Sequence, residues 1–222
     1  MNSFDETPSF QRHEQYIEAG LADGALGPDP LAALEAWLGD AEAAGIRDPN
    51  AMVVGTVDAG GQPSSRTVLW KGIVDGALAF YTNRESHKGL AIAHEARVSL
   101  LFPWYALHRQ VRVEGVATHA PDAVSDAYFA SRPRGSQVGA WASAQSQPIA
   151  SRADLDAREA EAETRFAGVE AVPRPPHWGG YLVTPASIEF WQGRVSRLHD
   201  RLFYQRDGGA SVGTWTITRL QP

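Results

Sequence analysis

The chain has 222 residues, 43% hydrophobic and 21% charged, a size and composition that suit one well-cored globular domain better than two. A formal charge of −6 argues against a bulk nucleic-acid binder, and no apolar run approaches the roughly 20 residues that cross a bilayer, so neither nucleic acid nor membrane is expected as a partner. Cysteine is absent, which excludes disulfides, thiolate catalysis and cysteine-ligated metals; with a polar N-terminus that lacks a signal-peptide core, this fits a cytoplasmic setting.

Residues 1–28 have weak periodicity and read as a mobile arm, with a short helix expected around 13–18. Residues 29–222 follow as a single domain. Asp29-Pro30 supplies a helix cap and a proline for the first turn; Leu31, Leu34, Trp37, Leu38 and Ala41 recur at helical spacing, and Gly45 can stop the helix. Strands are expected at 51–58, after which Gly60-Gly61 turns the chain, and at 65–73, after which Asp75-Gly76 turns it into 77–81. A short helix over 86–96 precedes strands at 98–104 and 110–117. Helices are expected at 121–131 and 154–166, with an ordered loop or short helix between them around Trp141. Short strands at 181–183, 188–191, 202–204 and 215–219 bring the total to roughly seven or eight. Strands dominate, helices are inserted singly, and no βαβ alternation occurs. The pattern predicts a mainly β (α+β) fold, an antiparallel barrel with helical additions.

Dinucleotide, P-loop, zincin and α/β-hydrolase motifs are all missing. His87 and His94 lie seven apart on the expected helix without a nearby carboxylate and read as surface residues, so no metal is expected. Charge distribution is more telling than net charge. No Asp or Glu occurs from 127 to 153, where Arg132, Arg134 and Arg152 lie; His108, Arg109 and Arg112, and later Arg194, Arg197 and His199, form further positive stretches. Such stretches on an acidic protein suit small anions, phosphates above all, unless acids from elsewhere in the fold neutralise them.

Five segments mix residue types that core packing would not select. In Arg66-Thr67-Val68-Leu69-Trp70-Lys71, strand alternation puts an apolar wall and a polar tip on each face. Tyr81-Thr82-Asn83 leads into Ser86-His87-Lys88-Gly89, a strand end and helix start that offer backbone N–H groups and a lysine to an anion. Gln110 and Arg112 share a strand face, where an amide suits the edge of a heterocycle. Tyr128, Arg132, Ser136, Gln145 and Ser146 gather donors on loops as a phosphate clamp would. Trp191, Arg197, His199 and Arg201 combine indole, guanidinium and imidazole, which suits stacking on an aromatic ligand, or else a strand pair held by an Arg–Asp bridge.

The ordered set RTVLWKG, FYTN…SHKG, LLFPW…RQVRVEG, YFASRPRGSQVGAWASAQS, PRPPHWGGYLVTPASIEFWQG, RLHDR and RLQP resembles the pyridoxine/pyridoxamine 5′-phosphate oxidases over nearly the whole chain. The resemblance implies a flavin mononucleotide (FMN)-binding split β-barrel, working as a homodimer with FMN at the subunit interface. It implies FMN contacts from Arg66, Thr67, Val68, Leu69, Lys71, Tyr81, Thr82, Lys88, Gln110, Gln145, Ser146, Trp191 and Arg201, with His87 facing the FMN phosphate. It places Lys71, Tyr128, Arg132 and Ser136 around the substrate phosphate, Arg197 and His199 over the pyridine ring as the catalytic pair, and Tyr16 in the arm beside the substrate. The implied reaction oxidises pyridoxine 5′-phosphate or pyridoxamine 5′-phosphate to pyridoxal 5′-phosphate, with O2 as acceptor and H2O2 released.

The chain also departs from the family pattern. His87 stands where an arginine is common, Trp70 where a leucine is usual, and His13 where an arginine often lies three residues before the tyrosine. Two other functions share parts of this pattern: a phenazine-biosynthesis flavin oxidase of the same fold, and a non-catalytic FMN or pyridoxal-phosphate carrier. The intact SRPRGSQ and RLHDR segments favour the vitamin-phosphate oxidase over both.

Overall fold

The computed structural model describes residue 16 and residues 20–206 and 214–222. Apart from Tyr16, the helix expected around 13–18 and the arm residues Arg12 and His13 lie outside the described residues. Residues 20–28 lie against the barrel: Leu21 is buried and its N–H donates to Asp200 at 2.9 Å, and Tyr204 donates its hydroxyl proton to the Gly27 carbonyl at 2.8 Å.

Helix α1 (Pro30–Ala43) begins as its sequence dictates, the Asp29 carboxylate accepting from the Leu31 N–H at 2.9 Å, and Gly45, at φ +70°, follows its end. Leu34, Trp37 and Ala41 face the core, where the Trp37 ring meets Phe190 edge-on at 5.1 Å. The strands are β1 (Ala51–Val57), β2 (Pro63–Leu69), β3 (Ile73–Val74), β4 (Ala77–Asn83), β5 (Arg97–Trp104), β6 (Arg109–His119), β7 (Trp178–Gln192), β8 (Asp200–Arg206) and β9 (Trp215–Leu220). All pair antiparallel, in the order β2-β1-β5-β6-β7-β4-β3, with β8 on β7 and β9 on β8. Helix α2 (His87–His94) follows β4, and α3 (Asp122–Ser131), α4 (Arg134–Ala142) and α5 (Arg152–Arg165) fill the connection from β6 to β7. This is the mainly β, antiparallel barrel with inserted helices that the sequence predicts.

Strand β7 gives the barrel its split. Along one edge it pairs with β6; along the other, Trp178–Val183 pair with β4 and Ser187–Gln192 with β8. Pro185 falls in the gap between those two partners and opposite a register shift at Glu114/Gly115, where a residue without an N–H costs least. Gly115 is required at the shift because a Cβ there would collide with the Thr184 carbonyl. The two short strands expected at 181–183 and 188–191 are therefore one strand bent at a bulge.

One other expectation is corrected. The strand expected over 65–73 ends at Leu69, because Gly72 takes φ +89° and the chain crosses from β2 to β4, the Lys71 N–H bonding to the Ala79 carbonyl at 2.8 Å. The segment between α3 and α5 holds the short helix α4, one of the two forms expected for it, entered through Pro133. The main core lies inside the barrel, with Phe80, Phe102, Leu100, Val113 and Ile188 fully enclosed. A smaller core of Phe129, Val138, Ala162, Phe166, Val172 and Trp178 joins α3, α4 and α5 to the start of β7.

Candidate active site

A cavity of about 530 Å³ opens between β2, β4 and the α3–α4 pair. Twelve of the residues singled out in the sequence line it: Arg66, Thr67, Val68, Leu69, Lys71, Tyr81, Thr82, Lys88, Tyr128, Arg132, Ser136 and Gln145. Asn83, Ser143 and Trp178 line it too; they lie within the quoted motifs but carried no assigned role. Trp70 points away: it is buried against Phe102, ring centres 5.6 Å apart, and belongs to the core. His87 is exposed on the first turn of α2 beside Lys88, and Ser146 is exposed next to Gln145 at φ +74°; neither lines the cavity.

Arg66, Lys71, Lys88 and Arg132 bring positive charge to this cavity, and none forms an ion pair with a carboxylate among the described residues. Arg66 instead donates to the Thr56 hydroxyl at 2.8 Å and the Ser64 hydroxyl at 2.6 Å. Lys88, only 8% exposed, donates to Gln145 Oε1 at 2.9 Å and to the Thr82 and Ser86 hydroxyls at 3.1 and 3.3 Å. Burial pushes the Lys88 pKa down, and the neighbouring Arg66 guanidinium pushes it further the same way. Arg132 Nη1 is buried with no hydrogen-bond partner, and burial lowers the pKa of this guanidinium as well. Leaving charged donors unpaired is costly unless an anion completes them. Arg66 lies near enough to Lys88 to act on its charge, while Lys71 and Arg132 both neighbour Tyr128, so the cavity suits anionic groups.

Gln110, Trp191 and Arg201 are elsewhere, and they are together. Gln110 on β6 is in register with Trp191 on β7, which is in register with Arg201 on β8, so the three side chains form one row across a sheet face. Beside that row, buried Glu189 takes Arg201 Nε at 2.8 Å and Arg112 Nη2 at 2.8 Å, fixing both guanidiniums. Arg197 and His199 stand on the following turn. The Tyr16 ring packs against His199, Trp191 and His108 at 5.4, 5.9 and 4.8 Å, and the Arg197 guanidinium lies 5.8 Å from its centre. Gly193 makes the seat, since a Cβ there would come within 3.0 Å of Tyr16 Cγ. His199 accepts from the Arg194 N–H on Nδ1 at 3.2 Å, which leaves the ring proton of the neutral form on Nε2. Burial, then the Arg197 charge, lower its pKa from 6.5.

This second cluster and the cavity sit at opposite ends of β7. Trp178 and Trp191 begin and nearly end that strand, separated by roughly 40 Å of extended chain. The residues singled out in the sequence thus fall into two groups at opposite ends of one strand.

Several arginines in the positive stretches prove to be spent on structure. Arg109 pairs with Asp40 at 2.6 Å, Arg134 donates to the Phe166 and Val169 carbonyls, Arg152 pairs with Asp156, and Arg194 reaches Asp200. No metal-binding group of His, Asp or Glu occurs among the described residues, and none of their helices is long and apolar enough to cross a membrane.

Comparison with known proteins adds the following. The sequence pattern described as pyridoxamine 5′-phosphate oxidase matches residues 38–165, and that described as the pyridoxine 5′-phosphate oxidase C-terminal dimerisation region matches residues 178–222. Proteins called pyridoxine/pyridoxamine 5′-phosphate oxidase are 53% identical over 208 residues in Rubrobacter xylanophilus (94% of each chain) and 51% identical over 207 residues in Cupriavidus necator (93% of this chain, 95% of that one). Among solved structures, PhzG from Burkholderia lata 383, in complex with tetrahydrophenazine-1-carboxylic acid, superposes with a TM-score of 0.83 at 32% identity over 92% of this chain and 99% of that one.

Proposed function

Since the chain belongs to the pyridoxamine 5′-phosphate oxidase family, we propose that it binds FMN and oxidises pyridoxine 5′-phosphate and pyridoxamine 5′-phosphate to pyridoxal 5′-phosphate, O2 taking the electrons and leaving as H2O2. The enzyme is a homodimer, the dimerisation region covering the part of the chain that holds Trp191, Arg197, His199 and Arg201. The observation that carries the assignment is the separation of the two groups along β7: the cavity has twelve of the expected residues and the second cluster six, and a second copy related by a two-fold axis would bring each group to the other at both sites. FMN and substrate are then held between protomers.

The donors fit the cofactor. Arg66 and Lys88, free of carboxylates, suit its phosphate, with Thr67 and Thr82 hydroxyls beside them and Val68 and Leu69 as an apolar wall for the ring system. Leu69 is 43% exposed, more than a core leucine and as expected of a wall awaiting a ligand. From the partner, Gln110, Trp191 and Arg201 would meet the ring edge. When bound, FMN supplies the chemistry that accepts a hydride equivalent from C4′ of the substrate.

The chain's own residues bind and orient. Lys71, Tyr128, Arg132 and Ser136 take the substrate phosphate, remote from the bond that breaks, so binding energy there can fix C4′ against the flavin. Arg197 directs its planar fork at the alcohol or amine, and neutral His199 presents Nε2 to the same region. The clamp also separates this function from a phenazine oxidase, which needs no vitamin phosphate. Incubating purified protein with FMN and pyridoxine 5′-phosphate should give pyridoxal 5′-phosphate absorbance and stoichiometric H2O2. Flavin binding without either product would leave a carrier protein instead.

A further inference from the structure

Arginines are ordinarily fixed by carboxylates, but a carboxylate consumes the N–H fork and cancels the charge that a phosphate ligand needs. Arg134 shows another way of spending the fork, both of its Nη atoms donating to carbonyls at 2.7 Å. Arg132 is held by neither means. Its guanidinium lies 4.6 Å from the centre of the Trp178 ring and 5.4 Å from that of Phe129, while buried Nη1 has no partner. An aromatic face fixes the plane of a guanidinium through its π cloud and leaves the in-plane N–H groups free.

Trp178 is itself locked in place. It is 7% exposed, and its carbonyl accepts from Arg174 Nη1 at 2.6 Å. Arg174 Nε and Nη2 bind Asp126 and Asp122 of α3 at 2.6 and 2.9 Å. Helix α3 carries Tyr128 and is followed by Arg132, so Arg174 ties the backbone of Trp178 to the helix that presents both residues. The indole is also nearly parallel to Tyr128, at 6.2 Å and 4°, and to Tyr81, at 5.8 Å and 10°. One aromatic stack therefore orients a tyrosine and an arginine toward the same cavity.

We propose that Trp178 is a positioning residue of the substrate clamp, its indole face holding the Arg132 guanidinium unpaired toward the phosphate monoester. This rests on the reading of Arg132 as a phosphate ligand, and it adds a selectivity role: Trp178 strengthens binding of phosphorylated over unphosphorylated vitamers without touching the bond that reacts.

The test compares FMN-loaded wild type with Trp178→Leu, Trp178→Phe, Arg132→Ala and Trp178→Leu/Arg132→Ala. KM and kcat are measured for pyridoxine 5′-phosphate, and affinity for inorganic phosphate is measured by calorimetry, independent of turnover. Trp178→Leu should raise KM and weaken phosphate binding by roughly twofold to thirtyfold, the range of a cation–π contact, with kcat within about twofold of wild type. Trp178→Phe should recover most of the loss. In the Arg132→Ala background Trp178→Leu should change KM no further, because a shared contact is lost once, whereas a general packing defect would add in full. Full additivity, or unchanged phosphate affinity in Trp178→Leu, overturns the proposal. Should Trp178→Leu not fold, Trp178→Phe decides: a rise in KM of about twofold that disappears over Arg132→Ala supports it, and none overturns it. An unchanged KM in Arg132→Ala itself would instead remove the clamp reading, a distinct failure.

Discussion

Neither Arg132 nor Arg197 pairs with a carboxylate among the described residues, but they differ in burial, and the difference separates binding from chemistry. Arg132 is half-buried in the cavity, so its loss should act on substrate binding: Arg132→Ala should raise KM roughly tenfold to a hundredfold, the worth of one charge-assisted hydrogen bond. Arg197 is exposed on a turn where it and Ser196 both take left-handed backbone angles, φ +64° and +59°. Such conformations cost energy for residues with a Cβ and persist where the surroundings require them. Arg197→Lys keeps the charge and loses the planar fork, so kcat should fall with FMN still bound; single-turnover anaerobic flavin reduction at the wild-type rate would deny Arg197 an orienting role. Its charge also acts on His199, whose pKa lies below 6.5. A folded-state pKa below the unfolded one means that the unfolded chain binds the proton more readily; this contribution to stability is full above pH 6.5 and is lost as pH falls. Arg197→Gln should move the His199 titration upward toward 6.5, as followed by NMR of the ring protons. His87 is exposed on the first turn of α2 beside buried Lys88. His87→Arg adds a planar, permanently charged fork there and should tighten FMN binding, as measured by quenching of flavin fluorescence; unchanged affinity would make His87 a surface residue only.

Among the elements, those with punctuation at both ends were legible in the sequence. Asp29-Pro30 and Gly45 bound α1, Ser86 caps α2, and Gly60-Gly61 and Asp75-Gly76 turn the chain where expected, because each residue type meets a local backbone requirement. Strand β7 was misread as two strands because Gly179-Gly180 and Pro185 look like breaks; they are tolerated through long-range facts, a close approach of Tyr81 and a gap between β4 and β8, that no local window contains. The candidate site was legible as a set of residues, through the resemblance, but not as an arrangement. That twelve of them share one cavity depends on how α2, α3 and α4 pack beside β2 and β4, and that Gln110, Trp191 and Arg201 align elsewhere depends on strand register. Gly72 shows how an element boundary serves the site: φ +89° ends β2 and places Lys71 in the cavity. Gly72→Ala should cost on the order of 1–2 kcal/mol, seen as a lower Tm, and should raise KM by displacing Lys71.

For the whole molecule, two partial sites at the ends of one strand predict complementation between subunits. Arg132→Ala and Arg197→Lys each damage a different end, so each homodimer alone should be impaired. After unfolding and refolding together, mixed dimers would hold one intact site and one doubly damaged site, restoring about a quarter of wild-type activity at equal amounts. No recovery on mixing would place both residues in a site built by one chain. The same division has a thermodynamic consequence. A ligand held across two chains stabilises their association, and association in turn stabilises the ligand, so cofactor retention is linked to protein concentration by mass action. Dilution should therefore release FMN together with the partner, and added FMN should shift the monomer–dimer balance by the same factor, so that the colour of the protein reports its assembly.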